Sequence, residues 1–154
     1  MSKVLVRAGT VVDAISLAPR LRANDARELT LSNGPDLEDT LQNAVAVSCE
    51  CFAAEEDGKV IALWGMAQPV PDTGVPWFVG SDETAKHPRK VIQFGKEMVK
   101  RWESRCSLMM NYTHVENTVH HRWLAHIGFS FMPGTVPVGA SSSPFLHFYR
   151  YSNV

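Results

Sequence analysis

The sequence predicts a single mixed α/β domain over residues 1–154, a sheet with helices on its faces. Three observations carry that expectation. Short apolar runs of strand length alternate with longer stretches whose apolar residues recur at helical spacing. An Asp57-Gly58 pair joins two of the strand-like runs as a tight hairpin. The stretch NTVHHRWLAHIGFSF, Asn117 to Phe131, passes from an amphipathic helix through a glycine into alternating aromatics.

The elements follow in order. KVLVR (Lys3 to Arg7) suits a first strand, and Asp13 is placed as the cap of a helix with apolar Ile15, Ala18 and Leu21. Pro19 lies inside that pattern and should divide it. A second helical piece from Asn24 to Leu31 stops at Asn33-Gly34, and Pro35-Asp36 opens a third, to about Val45. Strands follow at Val47 to Ala54, at Lys59 to Gln68 after the hairpin, and at Pro76 to Gly80. Pro88 suits the first turn of a helix to about Arg105, with Val91, Phe94, Met98 and Trp102 on one face beside Ile92 and Val99. Leu108 to His114 is a fifth strand. The helix after Asn117 is expected to bury a stripe of Val119, Trp123 and Ile127, joined by Leu124, before Gly128 ends it. Ser130 to Met132 begins a strand, PGTVPVGASSSP reads as a mobile loop, and FLHFYRY closes the sheet with Phe145, His147, Tyr149 and Tyr151 on one side.

Composition narrows the function. With 154 residues, 45% hydrophobic and 20% charged, the chain can bury a core and is not of the disordered class. A formal net charge of −1 gives no field for gripping nucleic acid or an anionic membrane, so neither is expected as a partner. No apolar run approaches the ~20 residues of a membrane span. MSKVLVRAGT has no apolar signal core, and three cysteines fit a reduced compartment, so a cytoplasmic location is expected.

The chemistry-bearing residues have plain readings too. His120 and His121 project about 100° apart on a helix, and neither has a His or Cys at i+4, so no metal site is expected. His120 lies on the Leu124 side and is the better acid–base candidate of the two. Cys49 and Cys51 share a strand face and are expected in the core; Glu50 between them is a solvated glutamate or, alternatively, a base. Trp102 and Trp123 are expected in the core, while Trp64 and Trp77 fit either core or site. Glu97 and Arg101 form an ordinary i, i+4 surface pair.

The element order, with Asn117 and Gly128-Phe129 at an eleven-residue spacing, resembles the GCN5-related N-acetyltransferase family. The opening VRAGTVVDA is similar to that family's Arg-x-Ala-Thr and Asp-Ala, through Arg7, Ala8, Thr10, Asp13 and Ala14. The resemblance implies a mixed, mostly antiparallel sheet and an acetyl-CoA site. In that site Phe78, Val79 and Gly80 would hold the pantetheine arm, Lys86, Arg89 and Lys90 would meet the phosphates, and Asn117 would orient the cofactor. The splayed ends of the fourth and fifth strands would form the acyl slot.

Two features depart from the family's active pattern. Its pyrophosphate loop, rich in glycine, is replaced by SDETAKHPRKVIQ, with no glycine between Gly80 and Gly95 and with Pro88 removing a donor. The place of a Tyr that protonates the leaving thiolate holds Leu124, which leaves Tyr112 and His120 as the catalytic candidates and His114 and His121 as further neighbours. With these departures the chain is similar to a narrower group, the short internal virion and head-assembly proteins of tailed podoviruses. Trp77-Phe78, Asn111-Tyr112, Asn117, Trp123-Leu124 and Ile127-Gly128 match that group, and Pro88 does not. Two readings stay open. One is a bacteriophage virion, assembly or host-interaction module with lost or weakened catalysis, whose partners are virion or host proteins. The other is a working acetyl-CoA-dependent N-acetyltransferase acting on an amine of a protein or small molecule.

Overall fold

Arg7 and Thr10 fix the entry of the chain into its first helix. In the computed structural model, which describes residues 3–152, strand β1 (Val4–Ala8) leads to helix α1 (Val11–Leu17). The cap is Thr10, not Asp13: the Thr10 hydroxyl accepts from the Asp13 N–H, and the Asp13 carboxylate accepts from the Thr10 N–H at 2.8 Å. That reciprocal box needs the acid three residues inside the helix, where it satisfies a second orphan donor. Asp13 is buried, and Arg7 meets its two oxygens with bonds of 2.8 Å each. The guanidinium holds the Asp13 carboxyl below the usual carboxylate range. The Arg–Thr–Asp run is thus a structural clip.

Pro19 sits in a 3₁₀ turn (Ala18–Arg20) that separates α1 from α2 (Ala23–Asn33). Gly34, at φ +99°, ends α2, and Asp36 caps α3 (Leu37–Val47) by accepting from the Asp39 N–H at 3.0 Å. β2 (Ser48–Glu56) and β3 (Lys59–Val70) are joined through Asp57 and Gly58, both at positive φ as a tight hairpin turn requires. Then come β4 (Thr73–Gly80), a 3₁₀ turn (Asp82–Lys86), α4 (Pro88–Trp102), β5 (Leu108–His114) and α5 (Thr118–His126). β6 (Ser130–Phe131), β7 (Val136–Val138) and β8 (Ser143–Tyr151) close the chain.

The sheet runs β1-β2-β3-β4-β5-β8-β6, with β7 also on β8. Every neighbouring pair is antiparallel except β4 and β5, which pair in parallel at Thr73–Leu108 and Gly74–Met109 alone. Side-chain alternation sends Trp64 and Phe78 to one face, and Leu63 and Val79 to the other. The first face meets Phe94, Met98 and Trp102 of α4 and Trp123 and Leu124 of α5; Trp64 stacks on Phe94 at 4.6 Å. The second meets α1 and α3 through Ala14, Leu17 and Leu41.

Four expectations need correction. The buried face of α5 is His120, Trp123, Leu124 and, just beyond it, Ile127, whereas Val119 is exposed. The i, i+3, i+4, i+7 rule selects that stripe and turns Val119 outward. The PGTVPVGASSSP stretch is not a plain loop: it contains β7, an edge strand where Pro137 opposite Pro144 costs no interior ladder bond. Cys49 is exposed, because a register shift between Ser48 and Glu50 turns it away; Cys51 is half-buried and Cys106 buried. Finally, Arg101 pairs with Glu50 (Nε to Oε1 2.7 Å), as does Arg105, while Glu97 accepts from Gln93.

Gly95 lets α4 and α5 approach closely. A Cβ there would lie 2.7 Å from Trp123 Cζ2 and 2.8 Å from Ile127 Cγ2. Gly95→Ala should therefore cost about 1–3 kcal/mol by overpacking, read as a lower Tm in a thermal melt. An unchanged or raised Tm would show that the two helices have room to part.

Candidate functional site

Beyond Gly74 the parallel pair opens into a V. Pro76 has no N–H to give β5, and its carbonyl accepts instead from the Asn111 side-chain amide at 2.9 Å. The Ser81 N–H points at β3, donating to the Ile61 carbonyl at 2.8 Å. Ladder alternation then turns the peptide groups of Gly80 and Phe78 away from β3 and into the V.

Helix α2 fills the mouth of that V. The Gly80 N–H donates to Asp25 Oδ2 at 3.0 Å, and its carbonyl accepts from the Arg22 N–H at 2.9 Å. Across the gap, Glu28 Oε1 accepts from Thr113 Oγ1 at 2.8 Å and from the His114 N–H at 2.7 Å. Asn117 is buried and shares its amide between Asp25 Oδ1 (3.3 Å) and Glu28 Oε1 (3.4 Å). Arg22 grips the Asp25 carboxylate through Nε and Nη2 at 2.9–3.1 Å. Asp25 and Glu28 stand at i and i+3, so one helix face serves both strands.

Two cavities meet at this point. The larger, about 300 Å³, lies on the α2–α3 side of the sheet, with Leu29, Ala44, Trp77 and Tyr112 in its wall. The smaller, about 230 Å³, lies between α4 and α5, walled by Val91, Ile92 and Trp123, with Arg22 and Arg122 as its cationic residues. Phe78 and His120 line both. The His120 ring packs 5.2 Å from Trp123, and neither nitrogen has a hydrogen-bond partner among the described residues. Burial lowers its pKa from the ordinary value; Glu28 and Asp25 pull the other way, and desolvation wins. His120 is a neutral imidazole with both nitrogens uncommitted.

The structure gathers some of the expected site residues and scatters others. Phe78, Gly80, Asn117 and His120 all stand at the V. Val79 turns its peptide to β3 and its side chain to the α1–α3 layer. Tyr112 lies at the larger cavity, 36% exposed, its ring stacked on His147 at 4.8 Å. Lys86 is tied to Glu83 at 2.7 Å, while Arg89 and Lys90 are exposed on the first turn of α4 without an ion-pair partner among the described residues. Leu124 is 2% exposed core. His114 is buried with a lowered pKa, and His121 meets the His114 carbonyl at 2.8 Å. Arg22, Asp25 and Glu28 were missed by sequence reasoning. Their i, i+3 spacing was visible, but on an isolated helix it reads as a solvated charged face.

No family model matches the chain, and no curated protein matches it. Solved structures do. The ribosomal-protein-S18-alanine N-acetyltransferase of Escherichia coli superposes with a TM-score of 0.72 at 12% identity, over 99% of this chain and 96% of that one. An acetyltransferase of the GNAT family from Streptococcus pneumoniae gives 0.71 at 9% identity, over 98% and 100%. An aminoglycoside acetyltransferase solved in complex with coenzyme A gives 0.67 at 14%, over 97% and 95%. The chain has the fold of the GCN5-related N-acetyltransferases.

Neutral, buried His120 makes stability depend on pH. Its folded pKa lies below its ordinary value of 6.5, so the unfolded chain takes up the proton first. Stability is complete above pH 6.5 and is lost as pH falls below it. The Tm should drop between pH 7 and pH 5, with a shallower slope in His120→Asn; His114, shifted the same way, keeps part of it. Equal slopes in the two proteins would remove His120 from this account.

Proposed function

We propose that the chain is an acyl-CoA-dependent N-acyltransferase, with His120 as the group that takes the proton from the attacking amine. The observation that carries this reading is the position of one neutral, uncommitted imidazole in the wall shared by two cavities. An acyl donor on the α4–α5 side and an amine on the α2–α3 side would meet there, beside the cleft-facing peptide of Phe78. A base kept neutral by burial suits that task at physiological pH.

The residues present fit an acyl-pantetheine better than they fit a pyrophosphate. Val91, Ile92, Val119 and Trp123 give the smaller cavity an apolar wall, and Phe78 keeps a peptide turned to the cleft. At the start of α4 the charges that could meet phosphates are the side chains of Arg89 and Lys90, since the backbone there has Pro88 and no glycine. A bound acyl-CoA supplies the activated acyl group. The chain supplies the rest: Phe78 orients, His120 holds the proton, and the buried residues around it exclude water.

A second reading is favoured by Gly80. Its cleft-side N–H and carbonyl are already paired with Asp25 and Arg22, as a self-filled slot would have them. Under that reading the fold persists as a binding or assembly module with weakened catalysis, of the kind found in podovirus internal virion proteins, and its partner is a virion or host protein.

Thermal melting separates the two. Under the first reading, acetyl-CoA at a hundredfold excess over Kd raises stability by about 2.7 kcal/mol, seen as a higher Tm. His120→Ala should keep that rise yet lower kcat for acyl transfer by about 10²–10⁴-fold. Lys90→Glu should weaken the rise. No rise in Tm, together with recovery of the chain bound to a virion protein, would replace the first reading by the second.

A further inference from the structure

We infer that the larger cavity binds a small primary amine carrying one positive charge, and that Glu28 is the anion that receives it. The inference deepens the acyl-transfer reading, but amine binding does not require that transfer takes place.

Charge around the larger cavity is unbalanced. The buried carboxylates among the described residues each have a cation: Asp13 has Arg7 and Asp25 has Arg22. Glu28 is half-buried and has none among the described residues. Arg27, on the same helix, is paired with Glu116, and the neighbouring His114 and His120 are pushed towards neutrality by burial. Glu28 is also held unevenly. Three donors converge on Oε1, from Thr113, His114 and Asn117, while Oε2 has no partner among the described residues. Glu28 lines the larger cavity, and Oε2 is its oxygen that no described donor occupies. A carboxylate out of bulk water without a counter-ion is costly, and a cationic ligand offsets that cost.

The geometry also selects the cation. A guanidinium binds best to both oxygens of a carboxylate at once, and here one oxygen is taken. A single open oxygen suits a compact ammonium. Glu28 is the only acidic residue in the wall among the described residues, so a second positive charge on the ligand finds no anion among them. The rest of the polar wall, which includes Ser32, Asn33, Thr40 and Asn43, carries no formal charge, and Trp77 and Tyr112 supply aromatic surface for an apolar body. Size sets the last limit. The cavity volume of about 300 Å³ lies at the low end of the ~300–1,000 Å³ usual for small-molecule sites, so the ligand is small. At Gly139 the backbone after β7 approaches the Leu31 carbonyl so closely that no Cβ fits, and the neighbouring Val138 lines the same cavity.

Calorimetric titration of the whole protein at pH 7, without any acyl donor, tests this with phenethylamine and its neutral isostere phenethyl alcohol. Phenethylamine should bind at least tenfold more tightly than the alcohol, and Glu28→Gln should bring the two affinities together. Ala44→Trp, which fills the cavity from α3, should abolish both. Absence of amine binding, equal affinities in the wild-type chain, or binding that survives Ala44→Trp would overturn the inference. The comparison of two ligands on the wild-type chain stands even if Glu28→Gln fails to fold. A chain that prefers the amine but transfers no acyl group keeps this inference and loses the enzyme reading; transfer without that preference does the reverse.

Discussion

Between β4 and β5 the sheet holds together for two residues and then divides, and much of the rest of the molecule is arranged around that division. A peptide group inside a protein must find a partner, and parting strands strand several at once. Pro76 reduces the need by one donor, and Asn111 answers its carbonyl with a side chain. Gly80 and His114, further out on the two arms, are answered from α2 by Asp25 and Glu28. The helix that closes the cleft is therefore also the helix that makes an open cleft affordable.

The same closure creates competition at the site. Any ligand pairing with the cleft side of β4 finds Phe78 open and Gly80 engaged. Around His120 the carboxylates of Asp25 and Glu28 favour the imidazolium and burial favours the neutral ring; burial prevails because the ring has no direct hydrogen bond to either acid. The site therefore combines a neutral imidazole with a nearby carboxylate that has no cationic partner among the described residues. Neither property belongs to a residue type, since both follow from where α2 lies.

Much of the fold was legible in the sequence because its signals are local. Asp57-Gly58, Pro19, Gly34, Pro88 and Gly128 each act within one turn of chain, and each marks a boundary in the structure. Legibility failed where tertiary context decides. Val119 and His120 compete for one helix face, and polarity favoured the wrong one. The serine- and proline-rich stretch looked structureless because β7 is held by pairing with β8 rather than by its own propensity. Of the site, Phe78, Gly80, Asn117 and His120 were nameable through resemblance and spacing. Arg22, Asp25 and Glu28 were not, since their partners lie on strands far along the chain.

That separation has a consequence for how the molecule is made. Glu28 meets Thr113 across 85 residues, and Asp25 meets Asn117 across 92. At a synthesis rate of ~5–20 residues per second, α2 leaves the ribosome about 4–17 s before β5 does. Through that interval the V lacks its β5 arm, and Glu28 has none of its partners on β5 and α5. Contacts of such long range assemble late, so the cleft is among the last parts of the nascent protein to form. A pause in translation between α2 and β5 delays the site while leaving the β2–β3 hairpin free to fold.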